Sequence, residues 1–322
     1  MPRVSIVMAL YNTPLKYLTK TLKSLLNQTY KDFELIIVDD FSTFEYEQFF
    51  KKLNDSRIKY FKLGKNSGPG AARNFGIKIA LGEYIAIADS DDVYLPERIE
   101  KQVEYLDNNK NISILGASYR ASNKKTISEA VVGVKNIQTH FLFNSVLSNP
   151  VIMIRKDDII EKKLFYPEDT NFAEDYKLWI NAMFAGLNCD NLKECLMIYT
   201  RRGNQLSKEK MQVQQQKLKQ IYAHIYNQLG IQFDDEIINI HYEIYSNKFI
   251  HTKNEQDIKN VFSKLFLANK EKHLFDDSLL KELEESAIKS FCGKKDLIFK
   301  VKVGKNDLRL EKSLKIKVVA RN

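Results

Sequence analysis

The chain has 322 residues, 44% hydrophobic and 28% charged, which is the length of about two ordinary domains and the balance of a folded globular protein. Its three cysteines, Cys189, Cys195 and Cys292, form no CxxC pair, which excludes a disulfide scaffold or zinc ribbon and suits a reducing compartment. The net charge of +9 is concentrated in a tail: ten Lys or Arg against three Asp or Glu between Ser290 and Asn322 supply +7 of it, which argues against a nucleic-acid groove.

Val4–Ala9 is a short apolar run rich in β-branched residues and ends at Tyr11-Asn12, so it reads as a strand. The run is too short for a signal peptide, and no stretch of about 18 apolar residues follows. The expected location is therefore cytoplasmic. Behind Pro14, Leu15, Leu18, Leu22, Leu25 and Leu26 recur at helical spacing. Glu34–Val38 is a second strand, stopped by Asp39-Asp40, and a helix around Phe44–Leu53 precedes a strand at Ile58–Lys62. Gly68-Pro69-Gly70 opens a helix through Ala80, and the strand Tyr84–Ala88 runs into Asp89-Ser90-Asp91-Asp92.

Strand and helix in alternation, with strands apolar throughout, predict an α/β fold with a mainly parallel sheet covered on both faces. Later elements are a helix at Pro96–Leu106, a strand at Val151–Arg155 and a helix at Ala173–Ala185. From about Ser207 the chain reads as helical, with stretches near Asp234–Phe249 and Glu255–Asn269. Lys300–Val303 and Leu314–Val319 then alternate charged and apolar residues, as a hairpin or a basic amphipathic tail would.

Open parallel sheets bind ligands at the carboxyl ends of their strands. The residues there are Ala9 to Asn12, Asp39-Asp40, Gly64 to Gly70 and Asp89 to Asp92. A ring, two carboxylate clusters and a Gly-rich turn suit a nucleotide. Asp89 and Asp91, two apart in a turn, can face one hard cation such as Mg or Mn. The bland alternatives are an acidic turn with a helix cap, and for Tyr11 a packed aromatic. Arg73 stands in the first turns of a helix, where the macrodipole disfavours a cation, so it needs a carboxylate or a phosphate as partner. No G-x-G-x-x-G follows the first strand, and no P-loop or G-x-S-x-G is present. The five histidines lack metal spacing and read as surface or packing residues.

Val4–Asn12, Asn27-Gln28-Thr29, Glu34–Asp40, Ala72-Arg73-Asn74 and Gly82–Ile85 leading into Asp89-Ser90-Asp91-Asp92 together resemble the inverting family-2 glycosyltransferases. These have the GT-A fold and use nucleotide-diphosphate sugars. The resemblance spans about residues 3–207. It implies a catalytic domain at 1–207, with a nucleotide-binding half at 1–92 and an acceptor half at 93–207. A helical region at 208–322 follows, ending in the basic tail 290–322.

The resemblance further implies a uridine site made by Ala9, Tyr11 and Asp39, with Asp40, Arg73 and Ser90 toward the ribose and diphosphate. Asp89 and Asp91 match the DXD positions that hold Mn2+ or Mg2+. Phe172–Trp179 matches the E-D-x-x-L-W segment, whose aspartate, Asp175, is the general base, with Glu174 and Trp179 beside the acceptor or diphosphate. Without the resemblance, Asp175 also reads as a carboxylate at a helix start beside a core tryptophan. Tyr199–Ser207 is similar to the family's closing loop, but Arg202 stands where relatives often have His. Arginine binds phosphate and cannot ligate a metal.

The implied activity is transfer of GlcNAc, GalNAc or galactose from a UDP-sugar to an oligosaccharide or lipid-linked glycan, as in bacterial lipooligosaccharide, O-antigen and capsule synthesis. Two other readings stand beside it. One is a catalytically inactive, lectin-like module, which retention of Asp89, Asp91 and Asp175 opposes. The other is a sugar-phosphate nucleotidyltransferase, which would need a Gly-rich loop after the first strand. The basic tail is either a solvated edge or a peripheral contact with anionic lipid on the cytoplasmic face of the inner membrane.

Overall fold

A computed structural model of the chain describes residues 1–168, 173–201 and 208–293. The first ninety residues alternate strictly: β1 (Val4–Leu10), α1 (Leu15–Leu26), β2 (Phe33–Asp39), α2 (Glu47–Leu53), β3 (Ile58–Lys62), α3 (Pro69–Ile79) and β4 (Tyr84–Asp89). The middle is less regular. It runs through β5 (Val93–Tyr94), α4 (Arg98–Asn108), β6 (Ile114–Ala121), β7 (Ile127–Ser128), α5 (Val134–His140) and a 3-10 turn at Asn149–Val151. β8 (Met153–Arg155), α6 (Lys156–Glu161), α7 (Glu174–Phe184) and β9 (Cys189–Tyr199) complete it. Helices α8 (Lys208–Leu229), α9 (Asp235–Ser246), α10 (Glu255–Lys272) and α11 (Asp277–Phe291) follow.

The strands make one sheet in the order β3-β2-β1-β4-β8-β6-β9-β5, with β7 against β6. β3, β2, β1 and β4 are parallel neighbours. Beyond β4 the sheet is mixed: β8 runs antiparallel to both β4 and β6, β5 runs antiparallel to β9, and β6 and β9 are parallel. The expectation of a mainly parallel sheet therefore describes only its first half. Single crossover helices join the early strands, as parallel pairing demands. Between β4 and β8 the chain instead lays down β5, β6 and β7 in the same sheet, and β8 then enters antiparallel between β4 and β6.

Alternate strand residues feed two cores, one on each face. Ile6, Met8, Leu35, Ile37, Ala86 and Ala88 pack on Leu18, Leu22 and Leu25 of α1 and on Ile99, Val103 and Leu106 of α4. Val7, Ile36, Val38, Ile85 and Ile87 face Ala72 and Ile77 of α3 and Trp179 of α7. Both faces being covered is why these strands are apolar without alternation. Gly76 lets α3 lie close on β1, because a Cβ there would sit 2.5 Å from Val7 Cγ1.

The C-terminal helices bury Tyr222, Ile225, Phe262, Leu265, Leu280 and Leu283 in the same cluster as Val7 and Trp179. They share one core with the sheet. Among the described residues no helix is long and apolar enough to cross a membrane. The boundary expected at 207, the 300–303 and 314–319 segments, and the basic tail beyond Gly293 lie outside the described residues.

Candidate active site

Register brings the first site residues together. Leu10 pairs with Asp39 across β1 and β2, and Ala9 pairs with Asp89 across β1 and β4. The loops that follow are cross-linked: Asp40 N donates to Leu10 O at 2.8 Å and Asn12 N to Ser42 Oγ at 2.9 Å. Between those two links Tyr11 and Phe41 are left 51% and 50% exposed. Phe41 has a left-handed backbone, φ 63°, a conformation that costs about 1–3 kcal/mol for a bulky residue and is held only where surrounding structure imposes it.

Asp39 and Asp40 shape these loops. Asp39 is fully buried and accepts from Ser42 N at 2.8 Å and from the Tyr60 hydroxyl at 2.7 Å. Burial and that carboxylate push the Tyr60 phenol far above its ordinary pKa. Asp40 accepts from Ser67 N and Gly68 N at 2.7 and 2.8 Å, one bond per oxygen, and so pins the turn that opens α3. A carboxylate has about four lone-pair sites, so a nucleoside can be bound only through those the loops leave over.

The acidic turn after β4 is tied on three sides. The Asp89 amide donates to the Tyr94 hydroxyl at 2.7 Å, and the buried Ser90 hydroxyl lies 2.6 Å from Thr13 Oγ1 in the β1–α1 loop. Buried Asp92 accepts from Thr200 N at 2.7 Å, anchoring the end of β9. Asp89 and Asp91 are the partly exposed carboxylates of this turn. Their hard oxygens suit Mg or Mn, and among the described residues they have no third His, Cys, Asp or Glu to complete a cage. That donor set fits a cation bound by one or two carboxylates and by substrate phosphates.

Arg73 finds carboxylates as its partners. Its Nη2 donates to Asp89 Oδ1 at 2.9 Å, its Nη1 lies 3.5 Å from Glu174 Oε1, and its guanidinium stacks 5.4 Å from the centre of the Tyr166 ring. Burial opposes the charge, and Asp89 outweighs it with help from Glu174, raising the pKa further. One arginine thus joins the turn after β4 to the start of α7.

Asp175 lies in the first turn of α7, where Oδ1 accepts from Tyr176 N at 2.7 Å. Burial and the neighbouring Glu174 carboxylate push its pKa up to about 6, against the pull of the Tyr176 amide and Arg73. Asp175, Glu174, Arg73 and Asp89 form one wall of an open cavity of about 510 Å³. Glu129, Tyr119, Tyr199 and residues 144–150 line the same cavity, and Asn149 Oδ1 accepts from the Tyr166 hydroxyl at 2.7 Å. Tyr119 and Tyr199 meet edge to face at 6.2 Å.

The structure sorts the expected residues into two places. Ala9, Tyr11, Asp39, Asp40 and Ser90 surround the strand ends of β1, β2 and β4, while Asp89, Arg73, Glu174 and Asp175 reach the cavity. Trp179 does not: it is fully buried and packs edge-on to Tyr166 at 6.3 Å. One turn after Asp175, the apolar face of α7 carries the ring inward to the core. Arg202 lies outside the described residues. Sequence reasoning missed Phe41, Glu129 and the 144–150 wall. Only Phe41, next to Asp40, stood near a recognisable signal.

A parallel half-sheet that gathers carboxylates and half-exposed rings at one edge, beside a cavity holding a carboxylate of raised pKa, is the architecture of a nucleotide-diphospho-sugar transferase. The comparisons agree. TarS of S. aureus, solved in complex with UDP-GlcNAc, superposes with a TM-score of 0.58 over 91% of this chain and 88% of its own, at 21% identity, and establishes the GT-A fold. The model of Glycosyl transferase family 2 matches residues 5–159. An uncharacterised glycosyltransferase of Methanocaldococcus jannaschii is 36% identical over 232 residues, 69% of this chain and 78% of that protein. WfaP of Escherichia coli, a UDP-Glc:alpha-D-GlcNAc-diphosphoundecaprenol beta-1,3-glucosyltransferase, is 28% identical over 262 residues, 81% of this chain and all of WfaP. The chain belongs to glycosyltransferase family 2 and is a glycosyltransferase.

Proposed function

We propose that this enzyme transfers GlcNAc, GalNAc or galactose from its UDP-sugar to a hydroxyl of a glycan, with inversion at the anomeric carbon, in bacterial surface-polysaccharide synthesis. The observation that carries the reading is Asp175, whose pKa of about 6 makes it a base at neutral pH, on the cavity wall that also holds Asp89. An acceptor hydroxyl in the cavity gives its proton to Asp175 as its oxygen bonds to the anomeric carbon. The bond from that carbon to the diphosphate oxygen breaks, UDP leaves with the electron pair, and an α-linked donor yields a β product. Arg73, paired with both Asp89 and Glu174, fixes the turn after β4 against the start of α7 that carries Asp175, which is the positioning part of the rate.

Asp91 and Asp89 would hold Mn2+ or Mg2+, whose charge offsets that of the departing diphosphate. Tyr11, with Phe41 beside it, offers the uracil a ring; Ala9, Asp39, Asp40 and Ser90 supply the surrounding contacts. WfaP, by its name, acts on a diphosphate-linked lipid, and the basic tail here would suit an acceptor presented at an anionic membrane.

The test is UDP release from a panel of UDP-sugars with Mn2+, alone and with octyl glycosides as acceptors. Release from one donor is expected, abolished in Asp91→Ala. Asp175→Asn is expected to lose transfer by about 10²–10⁴-fold while still binding UDP. Undiminished transfer in Asp175→Asn would overturn the assignment of the base.

A further inference from the structure

The cavity wall formed by residues 144–150 directly follows a buried turn, Phe141 to Phe143, after α5. Three consecutive carbonyls of that turn are each taken by a side chain from a different helix. The Tyr176 hydroxyl of α7 donates to Phe141 O at 2.6 Å, His241 of α9 to Leu142 O at 2.8 Å, and the Tyr222 hydroxyl of α8 to Phe143 O at 2.8 Å. A carbonyl only accepts, so His241 carries its proton on Nε2, which leaves Nδ1 to accept from the Tyr226 hydroxyl at 3.0 Å. The ring of His241 stacks on Tyr222 at 4.4 Å and meets Phe143 at a tilt, 4.8 Å between centres. Phe143 in turn stacks on Phe262 of α10 at 5.3 Å.

None of Tyr222, His241 or Phe262 lines the cavity. Two of the three bonds come from helices beyond residue 207, outside the stretch that resembles the family's catalytic domain. The segment they support lines the same cavity as Asp175, where the proposed reaction needs its acceptor. Buried carbonyls are rarely left without donors, so an arrangement that commits a histidine and two tyrosines to one turn determines where that turn sits.

We infer that the C-terminal helices tune acceptor recognition, through Tyr222 and His241 acting as positioning residues for the 144–150 wall. The inference rests on reading the cavity as the acceptor site. These side chains bond the turn and not the strand ends of β1, β2 and β4, so a change at Tyr222 or His241 is expected to reach the acceptor side first. Replacing the helices would then change which acceptor is used without changing the donor.

Tyr222→Phe removes one buried hydroxyl and keeps the ring. The lost bond is expected to raise amide exchange in peptides covering 141–150 by about three- to tenfold, with peptides from β1 and β2 unchanged. The KM for the octyl glycoside that the wild type uses fastest is expected to rise by a similar factor. The donor KM and the rate of donor hydrolysis in water are expected to stay at wild-type values. Unchanged exchange at 141–150 would overturn the inference, as would donor and acceptor KM rising together, the mark of general loosening. His241→Phe, which removes the donor to Leu142 O, is expected to show the same pattern. If the wild type releases UDP from no donor, the transferase reading fails, and the exchange measurement still decides whether these helices hold the wall.

Discussion

Arg73 holds together two carboxylates that lie 85 positions apart, Asp89 after β4 and Glu174 at the start of α7. Removing either carboxylate is costly, because Arg73 is buried and its charge is left with little water to solvate it. Its effect on Asp175 is readable in the pH dependence of turnover. The proposed base, Asp175, can take a proton only when ionised, so kcat/KM is expected to fall tenfold per pH unit below about 6 and to be flat just above it. Arg73 lowers the Asp175 pKa, so Arg73→Gln removes that pull and should move the acid limb to higher pH. A pH–rate profile of both proteins checks the sign; an unmoved limb would mean that Arg73 does not act on the base.

Among the elements, α3 is packed closely at its glycines. Gly68, at φ 88°, opens it, Gly70 faces Tyr166 and Glu174, and Gly76 lies against Val7. A methyl group at residue 76 would need Val7 or the whole helix to move, and overpacking of this kind costs about 1–3 kcal/mol. Gly76→Ala is therefore expected to lower Tm by several degrees and, through displaced Arg73, to reduce activity as well. A thermal melt with no loss would show that the helix can lift freely. The β-strands were legible unevenly. β1, β2 and β4 announce themselves as apolar runs because they are buried on both faces. β9 did not: it pairs Ala117 with Leu192 and then Ser118 with Cys195, leaving Lys193 and Glu194 exposed in a bulge that breaks the two-residue period. α11 was passed over within a broadly helical stretch, although Leu280, Leu283 and Ala287 mark its buried stripe.

At the scale of the whole molecule, one core runs from the sheet into the C-terminal helices, so the catalytic half and its extension are mechanically continuous. The excess charge is not shared in this way; ten basic residues lie between Ser290 and Asn322. At roughly 1 kcal/mol per basic residue near an anionic surface, with screening over about 8 Å at physiological salt, the tail is expected to draw the protein to vesicles containing anionic lipid and to release it in high salt. Cosedimentation of the full chain and of a chain ending at Gly293 checks this. Equal binding by the two would rule the tail out as the contact.

The sequence by itself determined the α/β class, the carboxyl ends of the early strands, and the acidic pairs Asp39-Asp40 and Asp89–Asp91. All of these are local: periodicity, and the residue that follows a strand, are written within a few positions. It also carried the family resemblance, through the order of those motifs. Only the tertiary structure decided that Arg73 answers to carboxylates, that Trp179 turns into the core, and that residues 144–150 line one cavity with Asp175. Those facts depend on contacts between segments far apart in the chain, and no periodicity within either segment records which partner it will meet. The half-mixed sheet belongs with them, since a strand's direction in a sheet is set by the path of the chain between strands.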